Sequence, residues 1–558
     1  MVQGNSTDAA SGLVTFGVNN VACVLSLIGG FILIFGYISL LIKERLFLSE
    51  SLVSTLVGIA FGPIAANLLN PFEWPGDIQQ ITLQFSQIVI AIQVMAAAVT
   101  LPKEFWLRRW KSLLILLGPV MLYMWISTAV ILYFVLGLPL FVSLIVGACT
   151  APTDPVLANS IVNGRFADMY ISIPVRRILS GESACNDGLA VPLFYLGLYF
   201  IEKGASGTTL WYWFWRVILY EVAVGSIFGA VVGYISRRML RLSERNNFID
   251  KKNLLSFEVA LALFTLGAST ILGLASFMAV FTCGLVFAWD ESSHEESQQA
   301  QVQEVIDMLV NLVFFIYFGA IIPWSSFNTA VLPLWKLVVV SVAILVVRRL
   351  PVIVALYRYM NAPLFSVPEA IYVGWFGPMG VGALWYMAAA KLALPDDEWI
   401  VPVVSFLVMA SVLIYGITLP FMHITIHTIN SRSISRGREV VIPIWPSSVP
   451  HGVAQISGPL TFIDLPKQTS EDDDPLPPPR PPPVPLAPTP EPMKAEREAA
   501  ADRADAPTPS SDSIDDIQVE LTPHSDESNQ TLSNLAMQPE MLDQRGSSQS
   551  RAQHPESS

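Results

Sequence analysis

The chain has 558 residues, 53% of them hydrophobic and only 14% charged, with a mean hydropathy of +0.53, a makeup that excludes an ordinary soluble domain and marks a membrane protein. The formal net charge of −13 belongs mostly to one end: residues 464–558 hold 19 acidic and 7 basic residues, while the remainder holds 26 and 25. The acidity therefore describes a tail and gives no reason to expect a nucleic-acid partner.

The first twenty residues carry no basic region of the kind that opens a signal peptide, and the apolar run 21–42 is longer than a signal core. It reads as a retained first span. A bilayer core about 30 Å thick needs roughly 20 apolar residues per helix. Windows of that length occur thirteen times: 21–42, 46–69, 83–101, 112–134, 139–162, 174–201 and 211–236, then 254–272, 275–289, 303–322, 332–357, 367–390 and 400–422.

Basic residues cluster after every second span: Lys43 and Arg45, then Lys103, Arg108, Arg109 and Lys111, then Arg165, Arg176 and Arg177, then Arg237, Arg238, Arg241, Arg245, Lys251 and Lys252. The alternate loops, such as "NPFEWPGD" at 70–77 and "LPDDEW" at 394–399, are acidic or uncharged. The positive-inside rule then places the N-terminus outside and the tail in the cytoplasm. Asn5 heads an Asn-Ser-Thr sequon on the exposed side, a glycosylation candidate. The expected domains are an extracellular segment 1–20, a transmembrane transport domain 21–422, a juxtamembrane cytoplasmic segment 423–463 and the tail 464–558.

Span five contains "ACTAPTDPVLANS", in which Pro152 and Pro155 bracket Thr153 and Asp154. Two prolines three residues apart remove backbone donors and break the helix. In lipid such a break is tolerated only against protein or a water-filled cavity. Freed carbonyls, the Thr153 hydroxyl and Asp154 then gather at membrane depth, an oxygen-rich setting of the kind hard cations prefer. A plain proline kink is the bland alternative, weakened by the intramembrane Asp154, since such charges usually mark a pathway.

Span six carries "LSGESACNDGLAV" at 179–191. On a helix Glu182 and Asn186 share a face, while Asp187 points about 140° away from Glu182. The two carboxylates thus meet different neighbours, and each needs a cation, either a side chain or a dissolved ion. Span eleven offers the first kind in "VVRRLPVIV", where Arg348 or Arg349 can pair with Glu182. Asp187 is left for the second kind, with Asn186 and Asp154 near it across the span-five break. Burial disfavours the charged form of a carboxylate, so near neutral pH it can hold a proton or, having lost it, a metal cation. One site with two competing ligands is an exchanger. The alternative for Asp187 is a structural carboxylate bonded to Asn186 and backbone.

Span twelve has a matching interruption in "VGWFGPMGVGALW", with Gly374, Gly377, Gly380 and Gly382 around Pro378. By itself it also suits close helix packing through small residues. Broken helices at the fifth place of the first six spans and of the last six point instead to two inverted six-helix repeats with a binding site at their crossing, span seven joining the halves. Cys23, Cys149, Cys185 and Cys283 each sit in an apolar segment without metal-type spacing and read as small hydrophobes. Asp290, Glu291, Glu295 and Glu296 read as a solvated loop, and His294, His423 and His427 show no spacing that singles them out.

Past span thirteen, "SRSISRGREVV" at 431–441 sets three arginines beside the inner leaflet, where each contributes about 1 kcal/mol of attraction to anionic lipids. The following "EDDDPLPPPRPPPVPLAPTPEP" and the Ser-, Asp- and Pro-rich remainder lack the apolar content to fold. Its polyproline run suits either an SH3-type or other regulatory partner or a solvated spacer.

Together "TAPTDPVLAN", "GESACNDG", "FGPMGVGA" and "GLVFAWDE" resemble the fungal plasma-membrane alkali-cation/proton antiporters, a branch of the monovalent cation:proton antiporter superfamily. The resemblance covers about residues 15–440 and not the tail. It implies exchange of cytosolic sodium, lithium and potassium for external protons without a cofactor. It also implies a homodimer, in which a core domain with spans five and twelve crossing moves against a dimerisation domain. Asp187 with Asn186 matches the family's ion-binding pair, Thr153 with Asp154 its unwound helix, and Glu182 the acid paired with an arginine on span eleven. For that arginine Arg348 fits the R-x-L-x-V pattern, with Arg349 the alternative. Met379 stands where animal and many bacterial relatives carry an arginine, a difference the fungal branch shares. It bears on local electrostatics and pH set-point, and stoichiometry stays open. A channel is disfavoured because no filter loop or ring of acids is visible, and no phosphate-binding motif supports an ATP-driven pump. A cation sensor or scaffold signalling through the tail is the remaining alternative.

Overall fold

Backbone groups that cannot reach water must be satisfied within their own segment, and long apolar windows satisfy them as helices. The computed structural model describes residues 20–435, apart from 43–45, 47, 102, 156, 159–170, 247, 249–250, 290–295 and 361–366, and among the described residues there is no strand. They all fall in one compact unit, Met1–Ala454. Asn5, Asp290, Glu291, His294, Glu295 and the acidic tail lie outside them.

In chain order the helices are α1 (Asn20–Leu40), α2 (Glu50–Phe61), α3 (Ile78–Thr100), α4 (Lys103–Leu136), α5 (Leu140–Thr150), α6 (Ile173–Lys203) and α7 (Gly207–Arg245). Then come α8 (Lys251–Ile271), α9 (Ser276–Phe287), α10 (Glu296–Ile321), α11 (Leu334–Val347), α12 (Leu350–Leu356), α13 (Val367–Trp375), α14 (Val381–Ala393) and α15 (Ile400–Ser435). Among the described residues seven helices are long and apolar enough to cross a membrane, and six further apolar helices are 10–17 residues long.

Among the described residues three spans are interrupted. Span five leaves the helix after Thr150 and resumes at Pro155, and span twelve is non-helical over 376–380 between α13 and α14. Span eleven, read from the sequence as continuous, also divides, at Arg348 and Arg349. The cause is Pro351, which has no N–H to offer the Val347 carbonyl, so Arg349 leaves helical geometry at φ −124°, ψ −46°. Helix type also varies along two spans. Residues 116–120 and 132–136 of α4 and Phe214–Val224 of α7 wind as π-helix, a rarity that recurs at functional sites. Gly137, at φ 75°, ends α4 in the left-handed region that favours glycine.

Small residues bring the helices close. Gly225, Gly229 and Gly233 form a fourth-residue stripe on α7 that lies against Ala275, which precedes α9, and Ala279 and Cys283 of α9, so near that a Cβ on Gly229 would overlap the Ala279 carbonyl. Helix α6 is enclosed by α3, α5, α9 and α14. That enclosure buries Glu182, Asn186 and Asp187, each 3% exposed or less.

Candidate functional site

The unwound segments of spans five and twelve touch through the backbone: the Asp154 N–H donates to the Pro378 carbonyl at 2.9 Å. Asp154 also serves as an N-cap. Its Oδ1 accepts the Leu157 N–H at 2.8 Å, two residues after a proline whose missing donor would have been unsatisfied anyway. Its Oδ2 accepts the Val381 N–H at 2.8 Å, the first residue of α14. One carboxylate therefore caps the second half of both broken helices, where helix dipoles favour negative charge. Gly380 is required by this approach, because a Cβ there would overlap the Asp154 carboxylate.

The opposite ends are held by Arg348. Its guanidinium donates to the carbonyls of Thr150, where α5 stops, and Gly377, just beyond α13. Arg349 makes the contact with Glu182 instead: two parallel bonds of 2.5 and 2.6 Å, with Nε on the Val373 carbonyl at 2.9 Å. On a continuous helix consecutive side chains diverge by about 100°. The break at Pro351 lets both arginines enter the core, each 1% exposed, so Glu182 pairs with the second of the two arginines and Arg348 serves the helix ends.

Around the remaining carboxylate the hydroxyl and amide groups form a chain. Asn186 Nδ2 donates to Thr153 Oγ1 at 2.7 Å, and that hydroxyl shares a 2.9 Å bond with Ser183 Oγ. The Tyr386 hydroxyl donates to the Asp187 carbonyl at 2.6 Å, fixing α14 to α6. Gly382 faces the Asp187 carboxylate so closely that a Cβ would overlap Oδ1. Yet both Asp187 carboxylate oxygens and the Asn186 Oδ1 are buried without a hydrogen-bond partner among the described residues. A buried ionised carboxylate left unpaired is costly, so these oxygens call for a proton or a cation. Met379, wholly buried, sends its N–H to Ser411 Oγ at 2.8 Å and brings no charge to the crossing.

Asp154, Thr153, Asn186, Asp187, Glu182, Arg348, Arg349, Pro152, Pro155, Gly377, Pro378 and Gly380 thus converge on one crossing. Ser183, Tyr386 and Ser411 went unnoticed in the sequence. Ser183 could have been found, since it precedes Asn186 by three residues on the Asp187 helix, but Tyr386 and Ser411 carry no local signal.

A family model described as sodium/hydrogen exchanger, transmembrane, matches residues 30–425. A Na+/H+ antiporter of Saccharomyces cerevisiae is 36% identical over 422 residues, 71% of this chain and 42% of that one. A Na+/H+ antiporter of Schizosaccharomyces pombe is 33% identical over 424 residues, 72% of this chain and 90% of that one. Several curated relatives are longer, the chain spanning about half their length: 55%, 42% and 51%. The solved sodium proton antiporter MjNhaP1 from Methanocaldococcus jannaschii shares the fold, with a TM-score of 0.54 at 16% identity over 74% of this chain and 98% of that one.

Proposed function

The chain belongs to the transmembrane sodium/hydrogen exchanger family, and from that premise we propose a secondary antiporter that exchanges cytosolic sodium, with lithium and potassium, for protons. Cation and proton compete for Asp187, and the site opens alternately to the two sides of the plasma membrane. Salt tolerance and pH homeostasis are the physiological consequence, and a homodimer with the tail in the cytoplasm is the working assembly.

The observation that carries this reading is the set of three unpartnered oxygens, Asp187 Oδ1 and Oδ2 and Asn186 Oδ1, beside Thr153, Ser183 and Asp154, whose side-chain oxygens are hydrogen-bonded. Oxygen ligands suit hard monovalent and divalent cations. A monovalent cargo fits the charges at the crossing: ionised Asp154, Glu182 and Asp187 oppose Arg348 and Arg349, which leaves one negative charge in excess there. A single monovalent cation or a single proton neutralises it. Glu182 and Arg349 hold the crossing, Thr153 and Ser183 orient Asn186, and Asp154 and Arg348 fix the ends of the broken helices.

The test is purified protein in liposomes with a trapped pH dye, comparing wild type with Asp187→Asn. Sodium-driven proton movement is expected in the wild type and absent in the variant. Equal movement in both removes Asp187 from the exchange, and repeating the assay under a clamped potential reads the stoichiometry.

A further inference from the structure

A second Arg–Glu pair lies in the membrane domain, away from the crossing. Arg216 and Glu221 stand five residues apart on α7, a spacing that on an α-helix turns side chains about 140° from one another. Here the segment is π-helical over Phe214–Val224, and the i to i+5 repeat stacks the two residues. Backbone bonds pin this geometry: the Ala275 N–H donates to the Glu221 carbonyl at 3.0 Å. The Tyr220 hydroxyl donates to the Leu272 carbonyl at 2.9 Å.

The pair is open. Arg216 Nε lies 3.6 Å from Glu221 Oε1, longer than a charge-assisted hydrogen bond of about 2.8 Å. The arginine side chain is 38% exposed and the glutamate 10%. Arg216 lies over the Tyr220 ring at 4.7 Å, which gives it a resting place that does not depend on Glu221. Both residues line a cavity of about 240 Å³ with Gln87, Tyr195, Phe277 and Trp385, room for several waters. The buried Trp385 Nε1 has no partner among the described residues.

This cavity reaches toward Asp187. Val191, also on its wall, is one helical turn beyond Asp187 on the same face of α6, about 6 Å along the axis. Trp385 precedes the Tyr386 that bonds the Asp187 carbonyl, and Phe277 packs edge-on against Trp385 at 4.9 Å. Gln87, Arg216 and Glu221 lie in the first halves of α3 and α7, whose other ends are Thr100, just before Lys103, and Arg245. The cavity is therefore at the end of the bundle remote from the basic loops, the side the arginine distribution assigns to the outside.

We propose that Glu221 is a cation-binding station in the external approach to Asp187, taking a sodium-sized monovalent ion that displaces Arg216 from its carboxylate. The station rests on the antiporter reading. A carboxylate on the wall of a low-dielectric cavity concentrates cations there, while Arg216, free to lean on Tyr220, competes with them. The two residues then act with opposite sign, which a purely structural ion pair does not.

The experiment uses the full-length protein in right-side-out and inside-out membrane vesicles, with sodium chloride as probe and dye-reported proton movement as readout. In right-side-out vesicles Glu221→Gln is expected to raise the half-saturating sodium about tenfold, and Arg216→Gln to lower it about threefold. The shift in inside-out vesicles is smaller for both. Changes of the same sign, or no shift in either variant, overturn the proposal. Because Arg216 is partly exposed, its variant decides the matter even where Glu221→Gln fails to accumulate. If the wild type moves no protons in either vesicle, the transport reading fails, and sodium-dependent thermal stabilisation of the purified protein decides the station. Stabilisation that weakens in Glu221→Gln and strengthens in Arg216→Gln supports it, and stabilisation indifferent to both overturns it.

Discussion

Two arginine–glutamate pairs sit in the same helical bundle and differ in distance and in the solvent access of the arginine. Glu182 and Arg349 are joined by two bonds of 2.5 and 2.6 Å, and both are nearly sealed from solvent. Arg216 and Glu221 make one contact of 3.6 Å on the wall of a cavity. The first is a lock: removing one partner strands a charge that has nowhere to go. The second is a pair of charges within reach of each other and of dissolved ions, and its members remain available. The same two residue types thus give a structural element or a responsive one according to distance and solvent access.

The largest effect follows from breaking the lock. Glu182→Ala is expected to destabilise by about 3 to 5 kcal/mol, seen as a collapse in purified yield and thermal midpoint, whereas Arg216→Gln stays within about 1 kcal/mol. A normally abundant Glu182 variant contradicts the contrast. Next comes Gly382→Ala, which drives a methyl group toward the Asp187 carboxylate. Displacements of this kind reduce rates about 100-fold, so dye-reported exchange is expected to fall by that order with the thermal midpoint little changed.

Arg348→Gln is intermediate. It removes a cation from the carbonyl ends of two half-helices, a loss of about 1 to 3 kcal/mol, and is expected to slow exchange while the Glu182 pair keeps the fold. A variant with unchanged turnover excludes this role for Arg348. The smallest effect is one of screening. Raising the ionic strength from about 0.05 to about 0.5 M shortens the screening length severalfold. It is expected to shrink the difference between Arg216→Gln and wild type, and to leave the Glu182→Ala defect untouched.

Much of the site was legible because its chemistry is local. "TDP" encodes an N-cap followed by a proline, and the structure uses Asp154 and Pro155 in that way. Glycines at 380 and 382 mark a close approach, and the carboxylates of Asp154 and Asp187 occupy the space their missing side chains leave. Alternation of apolar runs and basic loops exposed the helices, though α2 stops earlier and α4, α7 and α10 begin earlier than hydropathy alone suggested. Glu221 was overlooked because five-residue spacing carries no pairing signal on an α-helix.

By itself, then, the sequence determined an all-helical membrane protein, its two broken spans and the acids placed on them, since these depend on transfer free energy and on backbone donors that proline lacks. Only the tertiary structure decided which arginine reaches Glu182, that Asp154 caps both half-helices, and that a π-helical turn brings Arg216 to Glu221. Each of those outcomes depends on directions in space between residues far apart in the chain or on a change of helical pitch. A change in rotation per residue, invisible to composition, selects the partner.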